Sequence, residues 1–107
     1  MDFPNDADGD SLRRVAESGS DLSQPMSIDF TVKAPDERAA RIIADLVSAR
    51  GFDPSISDGD GKSSWSVFCS KFMLATHEGV VAAQAELNEL SRPHGGACDG
   101  WLTFGNA

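Results

Sequence analysis

An alternating segment followed at once by an amphipathic helix is the strongest constraint on the fold. In residues 26–33, large apolar side chains alternate with Ser, Asp, Thr and Lys, which is the period of a strand with one buried face. Pro35, Asp36 and Glu37 then favour the start of a helix, and Gly51 is typical of its end. The apolar residues between these signals recur at helical spacing. They are Ala39, Ile42, Ile43, Leu46 and Val47.

The rest of the chain predicts further elements in a definite order. Pro54 interrupts a short strand over residues 52–57, which is therefore expected at a sheet edge, and the run Asp-Gly-Asp-Gly at 58–61 predicts a turn. Thr76 is a candidate N-cap for a second long helix, and Pro93 and the glycines after it end that helix. The remaining predicted elements are strands over residues 65–73 and 97–104.

The order of these elements predicts the fold class. Asp10 is expected to cap a short N-terminal helix over residues 11–18. The elements after it run strand, helix, strand, strand, helix, strand, which is the ferredoxin-like split βαββαβ arrangement. Right-handed crossovers place both long helices on one face of a four-stranded antiparallel sheet. We therefore expect an α+β fold in a single domain, 1–107, with an N-terminal helical extension over 1–25 and a core over 26–105.

The sheet face without helices is expected to carry apolar groups. Successive side chains of a strand point to opposite faces of the sheet. The strand at 65–73 has bulky residues on both of its faces, and the last strand has Trp101 on one face and Leu102 and Phe104 on the other. At least two large apolar side chains must therefore point away from the core, and monomers seldom expose a large apolar patch. Two alternatives stay open: the N-terminal segment covers this face, or a partner does. The N-terminal side chains available for it are Phe3, Leu12 and Val15.

The charge of the chain restricts its partners. The formal net charge is −8, and residues 1–25 hold six acids against two bases. Such a surface repels phosphate backbones and lacks the basic stripe of nucleic-acid-binding proteins, so no direct nucleic-acid partner is expected. It suits basic protein partners, although many bacterial cytosolic proteins are acidic for solubility alone. Both interpretations stay open.

The sequence predicts a cytoplasmic protein with free thiols. No apolar run approaches the roughly 20 residues that span a bilayer, and the acidic first residues do not resemble a secretion signal. We therefore expect no membrane partner. Cys69 and Cys98 are expected to be small, buried or half-buried apolar side chains, because a reducing cytosol opposes disulfides.

Candidate catalytic and metal sites lack residues that their chemistry requires. A calcium loop registered on Gly9 would place Pro4 first and Val15 twelfth, where calcium needs oxygen ligands. His94 and Cys98 have a spacing seen in zinc sites, but a second ligand pair is missing. The sequence contains no nucleophile elbow and no glycine-rich phosphate loop. We therefore predict no catalytic residue, no metal and no cofactor.

Residues 93–101 hold the densest group of unusual residues in the chain. A proline, three glycines, an acid and a tryptophan fall in this segment. One interpretation is a tight helix-to-strand connection with Trp101 as a core or lid residue. The other is a contact surface around an exposed aromatic anchor, a residue type that dominates interface energetics.

Three runs of the sequence carry a resemblance to a known family. They are FPNDADGDSLRRVAESGSDLSQP near the start, KFMLATHEG in the middle, and HGGACDGW followed by TFG near the end. These runs resemble the regulators of ribonuclease E activity, type B (the RraB family), from Phe3 to Gly105. The resemblance implies a ferredoxin-like fold and a non-catalytic protein that binds the ribonuclease E endonuclease and inhibits its RNA cleavage.

The resemblance also implies partner-binding residues. The acidic-glycine signature falls near the start of the chain, and the His-Gly-Gly and Asp-Gly-Trp signatures fall near its end. Cys98 stands where Tyr is usual in the family, so any role of a phenol there is lost. Homodimerisation, an unrelated protein partner and direct RNA binding through the open sheet face stay open as alternatives. The implied partner-binding residues are Asp8, Asp10, His94, Gly95, Gly96, Asp99, Gly100 and Trp101.

Overall fold

The computed structural model describes residues 6–58 and 65–106, so residues 59–61 of the predicted turn lie outside the described residues. Within this part of the chain, no helix has the length and apolar character that crossing a membrane requires. The elements are α1 (Ala7–Glu17), β1 (Met26–Ala34), α2 (Glu37–Ser48), β2 (Asp53–Ser57), β3 (Trp65–Met73), α3 (His77–Ser91), a short 3₁₀ helix (Arg92–His94) and β4 (Ala97–Thr103).

The four strands form one open antiparallel sheet in the order β2-β3-β1-β4. Strand β3 lies between β1 and β2, and β1 lies between β3 and β4, so each β-α-β unit is split by a strand of the other. The short strand that contains Pro54 is an edge strand, as its sequence predicts. The expected α+β class and the four-stranded antiparallel sheet are therefore confirmed.

Both long helices begin where the sequence predicts, each after a side chain that caps its first turn. The Asp36 Oδ1 atom accepts a hydrogen bond from the backbone N–H of Ala39 at 2.8 Å, and Thr76 Oγ1 accepts one from the N–H of Gly79 at 3.0 Å. Each cap satisfies a donor that the helix itself leaves without a partner, and removing such a side chain typically costs about 1 kcal/mol. The starting points of α2 and α3 are therefore local properties of the sequence.

The core lies between one face of the sheet and the helices. Alternate residues of β1 are buried from Met26 to Ala34, and the β3 neighbours of Phe30 and Val32 in the ladder are themselves fully buried. The Phe30 ring packs edge-on against Phe52, with 6.0 Å between the ring centroids. Helices α2 and α3 fill the rest of this layer with fully buried Ala40, Ile43, Val47, Val80 and Leu87.

The N-terminal helix begins earlier than predicted. The expectation that Asp10 caps it is wrong, because Asp6 has the extended N-cap conformation and its carboxylate accepts a hydrogen bond from the N–H of Gly9 at 2.7 Å. Asp8 and Asp10 then lie in the first turn, where acids interact favourably with the positive end of the helix. The helix ends at Glu17, and Gly19 follows with a positive φ of 98°.

Helix α1 packs against α3 and not over the open face of the sheet. Its Leu12 side chain is fully buried in the common core. On the open face, by which we mean the sheet face opposite the long helices, Phe72 is 70% exposed and Leu102 is 47% exposed. Phe104, which follows β4, is 94% exposed. The alternative in which the N-terminal segment covers these groups is therefore wrong for its described residues, and Phe3 lies outside them.

Candidate protein-binding site

A β-bulge at Asp99 and Gly100 decides which way Trp101 points. Val32 of β1 pairs with Cys98 and Phe30 pairs with Trp101, so β4 has one more residue than β1 between these pairs. Gly100 has a φ of +86°, a conformation that residues with a Cβ rarely adopt. The extra residue brings Cys98 and Trp101 to the same side of β4. Trp101 therefore faces the helix layer.

The Trp101 indole meets a carboxylate of α1. Its Nε1–H donates to Asp8 Oδ1 at 2.9 Å, and the Gln84 side-chain amide of α3 donates to the same carboxylate at 3.1 and 3.2 Å. A partly buried indole N–H needs an acceptor, and a charged acceptor makes the stronger hydrogen bond. Asp8 thus joins α1, α3 and β4 at one point, which we call the Asp8 junction (Asp8, Gln84 and Trp101).

A second polar contact holds the first turn of α1 against α3. The Asp6 carboxylate lies 3.0 Å from His77 Nε2. Its hydrogen bond from the Gly9 amide, and then its contact with His77, hold the pKa of Asp6 below its ordinary value. These contacts, together with buried Leu12, fix the start of α1 beside α3.

The His-Gly-Gly segment forms the connection from α3 to β4. Gly95 adopts a left-handed conformation, with φ of 77°, at the end of the 3₁₀ helix. A Cβ at Gly96 would lie 2.9 Å from Ile43 Cδ1 and 2.9 Å from the Lys33 carbonyl oxygen. That approach leaves no room for a larger residue. Gly95 therefore has a conformational reason for its position, and Gly96 has a steric one.

The eight predicted binding residues do not form one cluster. Asp8 and Trp101 are in contact, whereas Asp10 faces outward and pairs with Arg13 at 2.6 Å. Asp99 is exposed in the bulge. Gly100 lies next to Asp99 in the same bulge. His94, Gly95 and Gly96 lie in the connection before β4, beyond the bulge from Trp101.

Sequence reasoning missed the amides that hold these segments together. Gln84 supports Asp8, and Asn88 Oδ1 accepts a hydrogen bond from the N–H of Cys98 at 2.7 Å. Near the C-terminus, the Asn106 side chain exchanges hydrogen bonds with the backbone of Asp21 at 2.8 and 2.9 Å. No local pattern marks such amides, because each partner is distant in sequence.

The two cysteines flank the central strand and remain free thiols. Cys69 is the neighbour of Phe30 on one side, and Cys98 is the neighbour of Val32 on the other. Two strand spacings amount to roughly 9–10 Å, which is longer than a disulfide can bridge. Burial raises the pKa of the Cys69 thiol to about 12 and also raises the pKa of Cys98. The expected small, buried or half-buried thiols are confirmed.

In the described ranges, no group of three or more His, Cys, Asp and Glu side chains is arranged to hold an ion. The geometry offers an α1 held by hydrogen bonds to α3 and β4, exposed carboxylates and a sheet face without helices. Such surfaces are suited to contact with another macromolecule.

The comparisons with known proteins agree with this description. The family model described as Regulator of ribonuclease activity B matches residues 5–103. No curated protein matches the chain. The match includes the Asp8 junction, the His-Gly-Gly connection and the bulge that precedes Trp101. Because it covers nearly the whole sequence, this chain belongs to the RraB family.

Proposed function

We propose that this chain is a non-catalytic protein-binding regulator that restrains a ribonuclease E-type endonuclease and thereby slows RNA decay. The observation that carries the proposal is the match of residues 5–103 to a family described as a regulator of ribonuclease activity. Within this proposal the protein acts in the cytoplasm, where RNA decay takes place. The strand order β2-β3-β1-β4 supports assigning its fold to the ferredoxin-like type.

The distribution of charge supports a basic protein partner. Helix α3 carries three glutamates and no lysine or arginine. Glu78 and Glu89 are exposed, while Glu86 pairs with Arg50 at 3.2 Å. Asp10 and Asp99, both among the residues implied by the resemblance, add carboxylates near α1 and β4. Complementary charge of this kind raises the association rate and sets specificity.

The Asp8 junction has an indirect role in this proposal. Asp8 and Trp101 bind each other and so fix α1 in place, which presents the outward-facing Asp10. Gly96 and Gly100 shape the backbone on either side of Cys98. Among the residues implied by the resemblance, we assign direct contact with the partner to Asp10, His94 and Asp99.

An RNA-cleavage assay with purified ribonuclease E tests the proposal. The wild-type chain should slow cleavage of a structured RNA substrate and should be retained by immobilised ribonuclease E at low salt. Retention should weaken as salt rises, because screening shortens the range of the charge interaction. An unchanged cleavage rate, with no retention at low salt, would contradict the proposed target.

A variant pair tests the acidic surface within the same assay. Asp10→Asn with Asp99→Asn should weaken retention several-fold, mainly by slowing association. Ser48→Ala, an exposed position at the end of α2, is the matched control and should leave retention unchanged. Equal retention of all the variants would show that these two acids do not contribute to the interface.

A further inference from the structure

The open face of the sheet brings two carboxylates into one row with an exposed leucine. The ladder registers place Asp53 beside Ser70, Ser70 beside Asp29 and Asp29 beside Leu102. The row crosses all four strands. The Ser70 hydroxyl donates a hydrogen bond to the Asp29 carboxylate. This hydrogen bond orients the Asp29 side chain within the row.

The next row contributes exposed aromatic rings. Phe72 lies beside Ser27 in the ladder, and Phe104 follows β4 at the position that alternation places on the side of Leu102. Ser27 is a short residue between them. The Thr103 hydroxyl donates to the Ser27 carbonyl oxygen at 2.7 Å and holds the end of β4 against β1. We call Asp29, Asp53, Phe72, Leu102 and Phe104 the open-face patch.

The charge of this surface favours a cation. Among the described residues, the sheet positions on the open face contain one base, Lys33, in the row of Ser66. Its Nζ donates to Ser66 Oγ at 3.2 Å, two rows away from Asp29 and Asp53. The exposed Phe72 and Phe104 rings adjoin the row of these two carboxylates. The patch therefore combines negative charge with aromatic faces.

We propose that the open-face patch binds a basic segment of a protein partner, with an arginine side chain between Phe72 and Leu102 and above Asp29. The inference rests on the proposed role of the chain as a protein-binding regulator. A guanidinium group stacks on aromatic rings and pairs with a carboxylate in the same position. Apolar residues of the same segment cover Leu102 and Phe104.

Two other occupants fit this surface less well. In a symmetric dimer through the same face, the patch of one copy meets the patch of the other, so the Asp29 and Asp53 carboxylates would come together in two chains that each carry a net charge of −8. For RNA, the same carboxylates would repel the phosphates. A cationic, partly apolar protein segment avoids both costs.

A peptide titration followed by amide NMR tests the inference. The probe is a short capped peptide of alternating leucine and arginine, and the control peptide has glutamate in place of arginine. The arginine peptide should shift amide signals of β1, β3 and β4 around the patch, and the glutamate peptide should shift none. Shifts centred on another surface, or equal shifts with both peptides, would overturn the proposal.

Variants on the open face measure the contribution of each group. Phe72→Ser should weaken peptide affinity at least about tenfold, as for an aromatic anchor, and Asp29→Asn should weaken it about threefold to tenfold. The matched control is Val81→Ser, because Val81 is 40% exposed on α3. Unchanged affinity in Phe72→Ser and Asp29→Asn, each confirmed as folded by circular dichroism, would overturn the proposal.

Three further measurements distinguish the proposed occupant from a dimer or RNA, and distinguish a failure of the patch proposal from a failure of the proposed target. A dimer in sedimentation that Phe72→Ser abolishes, or single-stranded RNA that displaces the peptide, would overturn the proposed occupant. If wild type binds ribonuclease E and the patch variants bind it equally well, the patch proposal fails and the proposed function stands. If wild type binds the arginine peptide at the patch but neither binds nor inhibits ribonuclease E, the proposed target fails and the patch proposal stands.

Discussion

On its helix-covered face, β1 presents Ile28, Phe30 and Val32, all fully buried, whereas on the open face the same strand presents Ser27 and Asp29. The residues that β1 presents to the covered face are all apolar, and their side chains fill the space beneath two helices. Burial of such side chains contributes about 1.5–3 kcal/mol each. The covered face therefore explains why the chain folds.

The neighbouring strands make the difference between the faces sharper. Val67 and Cys69 of β3 are buried beneath the helices, but Phe72 of the same strand is largely exposed, as is Leu102 of β4. An exposed aromatic ring contributes little to folding, and here it lies in the row next to that of Asp29. The open face therefore carries chemistry that the fold does not require, which is the usual sign of a binding surface.

The test with the largest expected effect on stability removes one phenylalanine side chain from each face. Phe30→Ala should lower the free energy of unfolding by about 3–5 kcal/mol, because it leaves a cavity in the core. Phe72→Ala should change it by about 0.5 kcal/mol or less, as for an exposed side chain. Urea unfolding followed by circular dichroism measures both. A loss above 1 kcal/mol in Phe72→Ala would mean that the open face is packed in solution.

A smaller effect is expected at the Asp8 junction, on the covered side. Trp101→Phe keeps most of the apolar surface but removes the indole N–H, so it should cost about 1.5–3 kcal/mol, the range for hydrogen bonds to charged groups. A double-mutant cycle with Asp8→Asn should give a clear coupling energy. Trp65→Phe is the matched control and should cost less. Zero coupling between positions 8 and 101 would contradict the contact.

The smallest effect should come from the pH dependence of α1. Because the pKa of Asp6 lies below its ordinary value of 3.8 in the folded chain, its contribution to stability is present above that value and is lost as the pH falls through the lowered pKa. Between pH 5 and 2, wild type should therefore lose more stability than Asp6→Asn. Amide exchange in α1 measures the difference. Parallel pH profiles for the two proteins would rule out this contribution.

Most of the core fold could be predicted because its signals are local. Asp36 and Thr76 cap their helices through hydrogen bonds that span three residues, and Pro54 marks an edge strand by lacking a backbone donor. The alternation in β1 follows from the two-residue period of any strand. In each case the physical cause lies within a few residues of the effect.

The candidate site could be predicted only in part. The sequence singled out Asp8 and Trp101 as separate signature residues, and their hydrogen bond joins positions that are distant along the chain. The direction of Trp101 depends on the bulge at Gly100, which reverses the side expected from simple alternation. Gln84 carried no signal, because a glutamine on a helix becomes a partner for Asp8 only after α1 has packed.

The sequence by itself determined the element order, the starts of the two long helices, the acidic charge and the presence of surplus apolar groups in β3 and β4. Only the tertiary structure decided where α1 lies, and hence that Phe72 and Leu102 stay uncovered. Local hydrogen bonds and side-chain period act within a single element, whereas the position of α1 depends on Leu12, Asp6 and Asp8 finding partners in other elements. The acidic open face is therefore a property of the assembled fold.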